Sequence, residues 1–134
     1  MNQEIPEYIK LEGFIWKHLR HYLIHPICPF HRELIQLTTV PKIAVAAPTG
    51  FAKSTYFSVF STLYELLEKP GIQILLVSAT GSLAEHWVAK IRNELEYNPS
   101  LLAYYGKQNS KGKWAVDELH LDNGSVLMAK GSEK

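Results

Sequence analysis

Two short, unbroken apolar runs, each followed by a turn and then by apolar residues at helical spacing, restrict this chain more than any other feature. Lys42, Ile43, Ala44, Val45, Ala46 and Ala47 make the first run; Ile72, Gln73, Ile74, Leu75, Leu76 and Val77 make the second. Strands that read as continuous apolar stretches are those buried on both faces of a parallel sheet. After the first run, Tyr56, Val59, Phe60, Leu63, Leu66 and Leu67 recur at intervals of three and four over residues 53–69, and Pro70-Gly71 ends that helix. After the second, Ser82 and Glu85 have the capping-box spacing that opens a helix with Leu83, Trp87, Val88, Ile91 and Leu95 on its apolar face. Strand, helix, strand, helix with short connections predicts an α/β core, a parallel sheet with crossover helices.

The flanks read differently. In the first third, Pro26 and Pro29 break two helical pieces, because proline removes a backbone donor and biases the preceding residue away from helix. Ile15, Leu19, Tyr22 and Leu23 give the first piece a stripe; Phe30, Leu34, Ile35 and Leu37 give the second one. These are expected to be covering helices. Between Trp114 and Ala129 the apolar residues alternate, and Asn123-Gly124 predicts a two-residue hairpin turn. That register sets Leu121 opposite Val126 and Leu119 opposite Met128. Residues 106–113 read as the one linker-like stretch.

At 134 residues, with 46% hydrophobic and 20% charged, the composition is that of an ordinary globular chain and fits one modest domain. Residues 1–134 are therefore expected to form one domain, with residues 1–40 as its helical N-terminal segment. A net charge of +1 provides no global attraction for nucleic acid, so any such contact must come from a local patch. Cys28 is the single cysteine, so no intrachain disulfide is possible and a cytoplasmic setting is expected. The opening residues lack the basic and apolar regions of an export signal, and no stretch approaches the roughly 20 apolar residues of a membrane span.

The chemistry concentrates at residues 47–55, between the first apolar run and the helix that follows. Phosphate-binding loops of the Walker A kind, G-x-x-x-x-G-K-[ST], occupy that position: backbone N–H groups wrap the phosphates, the lysine neutralises them and the hydroxyl ligates Mg²⁺. Lys53 and Ser54 fit those roles, and the helix start adds free N–H groups and the positive end of its dipole. Ala47 and Ala52 replace the two pattern glycines, so a Cβ stands at position 52 where backbone approaches phosphate; Gly50 keeps one point of freedom. The competing reading is an ordinary strand-to-helix turn with a lysine and hydroxyls.

Residues 46–55 resemble the A-P-R-G-x-[GA]-K-S-T loop of phage terminase large subunits, in which alanine before the lysine is tolerated. His31, Arg32, Glu33 and Leu34 resemble the helix before that loop. Residues 76–80 with Ala84, Glu85, His86 and Trp87 resemble the second strand and helix. Asn123-Gly124 and Ala129-Lys130-Gly131 resemble the section just upstream of the family's acidic strand, so the likeness runs from residue 30 to the end. It implies a P-loop NTPase-like parallel sheet, with ATP and Mg²⁺ as cofactors. Lys53 would hold the β and γ phosphates and Ser54 the metal, with Thr49, Gly50, Phe51, Ala52 and Thr55 completing the loop. It also implies an ATPase motor that packages double-stranded DNA into procapsids in the host cytoplasm, with portal protein and small terminase subunit as partners and oligomerisation only in the full motor. Two departures matter. Thr49 replaces the arginine that many terminases carry, which weakens electrostatic help in phosphoryl transfer. The family also continues into an acidic strand and a nuclease domain, so the expectation is an incomplete domain, the N-terminal part of a motor, not hydrolytically competent by itself.

Other residues carry weaker signals. Asp117, Glu118 and Asp122 read as solvated hairpin residues rather than catalytic carboxylates, since they do not end a continuous apolar strand. Ser78 and Thr80 lie where open α/β sheets present ligands, and equally where hydroxyls cap a helix. His18, His21, His25, Cys28 and His31 invite a zinc reading, against which stand the single cysteine and the two prolines of a turn. Lys107, Lys111 and Lys113 with Tyr104, Tyr105 and Trp114 suit a DNA-contacting loop or a solvated one. Two further function classes fit the chain: a non-catalytic remnant or interaction module, and a fragment of a helicase-like P-loop ATPase.

Overall fold

A computed structural model describes residues 5–23, 27–37 and 55–132. The apolar run 42–47 and the loop through Ser54 lie outside the described residues. The described elements group into two units, one within Met1–Ser61 and one within Thr62–Lys134.

In the first unit, helix α1 (Glu7–His18) buries Leu11, Phe14, Ile15 and His18, the spacing that puts side chains on one helical face. Ile15 and Leu19 are buried as the expected stripe requires. Tyr22 and Leu23 do not extend it: Leu19 leaves helical geometry at φ −122°, ψ 18°, and Arg20–Tyr22 form a 3₁₀ turn. Helix α2 (Pro29–Leu37) starts at the proline of the expected break, where a missing N–H costs nothing, and buries Leu34 and Ile35. It packs on α1 and on a π-helical segment, Thr55–Ser61, which buries Val59 and Phe60. The Tyr22 ring meets Phe60 edge-on at 5.6 Å. Arg32 Nε donates to Glu12 at 3.0 Å across α1 and α2, a surface pair worth no more than about 1 kcal/mol.

In the second unit, α3 (Thr62–Glu68) buries Leu63, Tyr64, Leu66 and Leu67. Ile72 N–H closes a turn on Lys69 O at 3.2 Å, with Gly71 at φ 83°; Pro followed by a positive-φ Gly suits a type II turn. Strands β1 (Gln73–Ser78), β2 (Glu118–His120) and β3 (Val126–Gly131) then form a sheet in the order β1-β3-β2. β1 and β3 run parallel, β2 and β3 antiparallel, so the fold is α/β with a small mixed sheet.

Helix α4 (Gly81–Tyr97) lies on β3 and β1 and buries Ala84, Val88, Ile91 and Leu95. Each fully buried aliphatic side chain contributes about 2 kcal/mol. The buried stripe is turned from the expected one: Ala84 replaces Leu83, which is 44% exposed. The helix opens two residues earlier than the Ser82–Glu85 box implies. Thr80, extended at φ −127°, ψ 157°, is the N-cap, and its Oγ1 accepts the Leu83 N–H at 3.1 Å. β1 also departs from burial on both faces. Ile74 and Leu76 are partly covered, while Leu75 and Val77 remain 54% and 55% exposed. Among the described residues no helix is long and apolar enough to cross a membrane.

The hairpin forms, but one residue out of the expected register. Leu119 pairs with Leu127, His120 with Val126 and Glu118 with Met128, and Leu121 N–H meets Ser125 O at 2.8 Å. The loop has three residues, Asp122, Asn123 and Gly124, with Gly124 N–H bonded to Leu121 O at 3.0 Å and its φ at 92°. The additional loop residue turns the second arm over, so Leu127 and Ala129, not Val126 and Met128, join Leu119 and Leu121 in the core.

A further helix, α5 (Pro99–Tyr105), follows α4. Asn98 Oδ1 accepts the Leu101 N–H at 3.1 Å and Pro99 starts the helix. The stretch expected to be a linker is tied down. Ser110 N–H and Lys111 N–H donate to Asp122 Oδ1 at 3.0 and 2.9 Å, and Gln108, 6% exposed, accepts the Asp122 N–H on its carbonyl. Residues 113–115 run beside β2 through His120 N–H to Lys113 O and Ala115 N–H to Glu118 O.

Candidate nucleotide-binding site

Of the residues expected to cradle phosphate, Thr49, Gly50, Phe51, Ala52, Lys53 and Ser54 lie outside the described residues. Thr55 is described, half-buried, as the first residue of the π-helical segment Thr55–Ser61. Such segments are uncommon and recur at functional sites.

The carboxyl end of the parallel pair is described in full. Ser78 of β1 stands level with Gly131 of β3. Ser132 N–H donates to Ser78 O at 2.9 Å, and Ser132 Oγ reaches Ala79 O at 3.5 Å. Gly131 lies so close to the start of α4 that a Cβ there would be 2.3 Å from Gly81 N. Open α/β sheets take ligands beyond this end of their strands. Thr80 serves the helix here: its Oγ1 accepts the Leu83 N–H, one of the donors a helix start leaves free, and its carbonyl accepts the first intrahelical bond, from Ala84 N–H at 3.2 Å.

Two of the hairpin acids bond neighbouring side chains through their carboxylates. The Asp122 carboxylate takes the Ser110 hydroxyl as well as the two loop N–H groups; these bonds, the Ser110 hydroxyl first, hold its pKa below the usual range. Glu118 lies 2.6 Å from His120 Nε2 and 3.6 Å from Lys113 Nζ, and the His120 hydrogen bond leads in lowering its pKa. Asp117 accepts the Ala129 N–H on its backbone carbonyl at 2.8 Å.

Cys28 Sγ is 3.3 Å from His31 Nδ1, His18 is buried with its ring 5.0 Å from Phe14, and His21 stacks on Tyr22 at 4.8 Å; His25 lies outside the described residues. Among the described residues no group of three or more His, Cys, Asp or Glu is placed to hold a metal. In the basic loop, Trp114 Nε1 donates to Glu96 at 2.7 Å and the Tyr105 hydroxyl donates to Glu68. Burial, then the Glu68 bond, pushes Tyr105 well above the ordinary phenol range. Tyr104 is the outward aromatic of the three, at 60% exposure. Arg92, not singled out from sequence, bonds Ala115 O at 3.3 Å and ties the loop to α4.

Neither a scan against protein-family models nor a search of curated proteins finds a match to this chain.

Proposed function

We propose that this chain is the ATP-binding N-terminal portion of a terminase-type motor that packages double-stranded DNA, with ATP and Mg²⁺ as cofactors. The observation that carries the reading is the loop of residues 47–55, with Lys53 and Ser54 at the motif positions, directly ahead of a helical segment described from Thr55. A second strand and helix in the expected places, β1 and α4, support it. In this reading β1 and β3 belong to a P-loop NTPase-like sheet. Lys53 neutralises the β and γ phosphates, Ser54 ligates Mg²⁺, and Thr49, Gly50, Phe51, Ala52 and Thr55 complete the cradle. The missing glycine at position 52 predicts weaker binding than a loop with both glycines. Double-stranded DNA, a portal protein and a small terminase subunit are the partners this reading carries, in the cytoplasm of the host cell.

Equilibrium binding of Mg-ATP to the folded chain tests it. Saturable binding that falls at least about tenfold in Lys53→Ala is the expected outcome, because a lysine-phosphate bond is charge-assisted. A folded wild-type chain that binds no Mg-ATP refutes the reading. The second reading, a non-catalytic interaction module, then takes its place; the outward Leu75 and Val77 on β1 favour it.

A further inference from the structure

Asn123 and Gly124 at the hairpin tip form the dipeptide most open to succinimide chemistry, because glycine puts no side chain beside the attacking backbone nitrogen. In this fold the atoms that chemistry uses are engaged. Asn123 Nδ2 donates to Leu66 O at 2.9 Å, Asn123 Oδ1 accepts the Ser125 N–H at 2.9 Å, and Gly124 N–H donates to Leu121 O at 3.0 Å. Ser125, fully buried, adds its hydroxyl to Leu66 O at 2.9 Å and to Lys69 O at 3.3 Å. These carbonyls lie at the end of α3, where a helix runs out of its own donors. The tip is thus docked by the side chain that would react, while Gly124 faces solvent.

We propose that Asn123 is a conformationally gated deamidation site, shielded while the tip is docked on the end of α3 and converted when it lets go. On release, the Gly124 nitrogen gives its proton to solvent base and attacks Asn123 Cγ. A C–N bond forms, and the side-chain amide leaves as ammonia, giving a cyclic imide. Water opens the ring at either carbonyl and leaves an aspartate or an isoaspartate. The balance is one water consumed and one ammonia released, with no change of oxidation state. The product does not dock again: a carboxylate has no N–H for Leu66 O, and it sets negative charge against the negative end of the α3 dipole. Release therefore becomes one-way.

The test follows the amide-to-acid mass gain on the tryptic peptide of residues 114–130, with the full chain held at mildly alkaline pH, folded or in denaturing urea. Conversion about tenfold or more slower in the folded chain is expected, because exchange with an open tip must precede it. Ser125→Ala, which loosens the dock, is expected to speed conversion of the folded chain several-fold, and Asn123→Asp to unfold at lower urea than wild type. Equal rates in folded and unfolded wild type overturn the gating. An unaccelerated, folded Ser125→Ala overturns the dock as the gate. An unchanged urea midpoint in Asn123→Asp overturns the one-way release.

Discussion

Where β1 and β3 begin, side chains from three segments interlock. Asn123 and Ser125 of the hairpin tip cap the end of α3, Gln108 accepts Asn123 N–H at 3.2 Å, and Asp122 holds Ser110 and Lys111. Where the same two strands end, the described bonds are Ser132 N–H to Ser78 O, the Ser132 hydroxyl to Ala79 O and the threonine cap on α4, beside the close approach of Gly131 to Gly81. The first end is held by many directional bonds and the second by a tight fit. Open α/β sheets place ligands beyond the carboxyl ends of their strands, so in the proposed reading the more densely bonded end lies opposite the ligand.

The largest expected effect lies at the tight fit. Gly131→Ala would set a Cβ 2.3 Å from Gly81 N and 2.8 Å from Thr80 C, backbone atoms that do not yield cheaply. It is expected to cost about 3 kcal/mol, read as a lower urea midpoint; an unchanged midpoint would show the carboxyl end to be plastic. Next come two single-hydroxyl changes, one at each end. Ser125→Ala should cost about 1–2 kcal/mol, because it removes a buried hydroxyl's bonds to two helix carbonyls, and Thr80→Ala about 1 kcal/mol. If Thr80→Ala proves the more costly, the contrast between the ends is reversed.

The smallest effect is on acid stability. Asp122 and Glu118 both have folded pKa values below their ordinary ones, through Ser110 and His120 first. Their contribution is present above the unfolded carboxylate range near pH ~4 and is lost as pH falls through the folded values. Urea midpoints should therefore drop on acidification, and Asp122→Asn should flatten that slope; an equal slope in the variant would remove Asp122 from the locked end.

Sequence periodicity located β1, α4 and both hairpin arms, and it picked out buried side chains on α4, Ile91 and Leu95, and on the first arm, Leu119 and Leu121, but not on β1 or the second arm. The turn was less legible. Asn-Gly fits a two-residue loop and also a three-residue loop ending in glycine, and the choice here goes with partners distant in sequence, Leu66 and Gln108. Asn98-Pro99, a cap followed by a proline at the helix start, was a legible signal for α5 that periodicity passed over. The pairing of β1 with β3 has no local signature at all. For the candidate site, spelling and context singled out Lys53 and Ser54, and Thr55 alone of that loop falls among the described residues.

The parallel pairing of Gln73 with Val126 also sets an order of assembly. β1 leaves the ribosome before α4, α5 and the hairpin exist, whereas β2 and β3 find each other across a short loop. Helix α4 and the hairpin can therefore organise early from nearby contacts, and β1 joins only after the longest loop in the unit has closed. Until then its apolar residues lack β3, and a chain that exposes them at that stage is prone to aggregate.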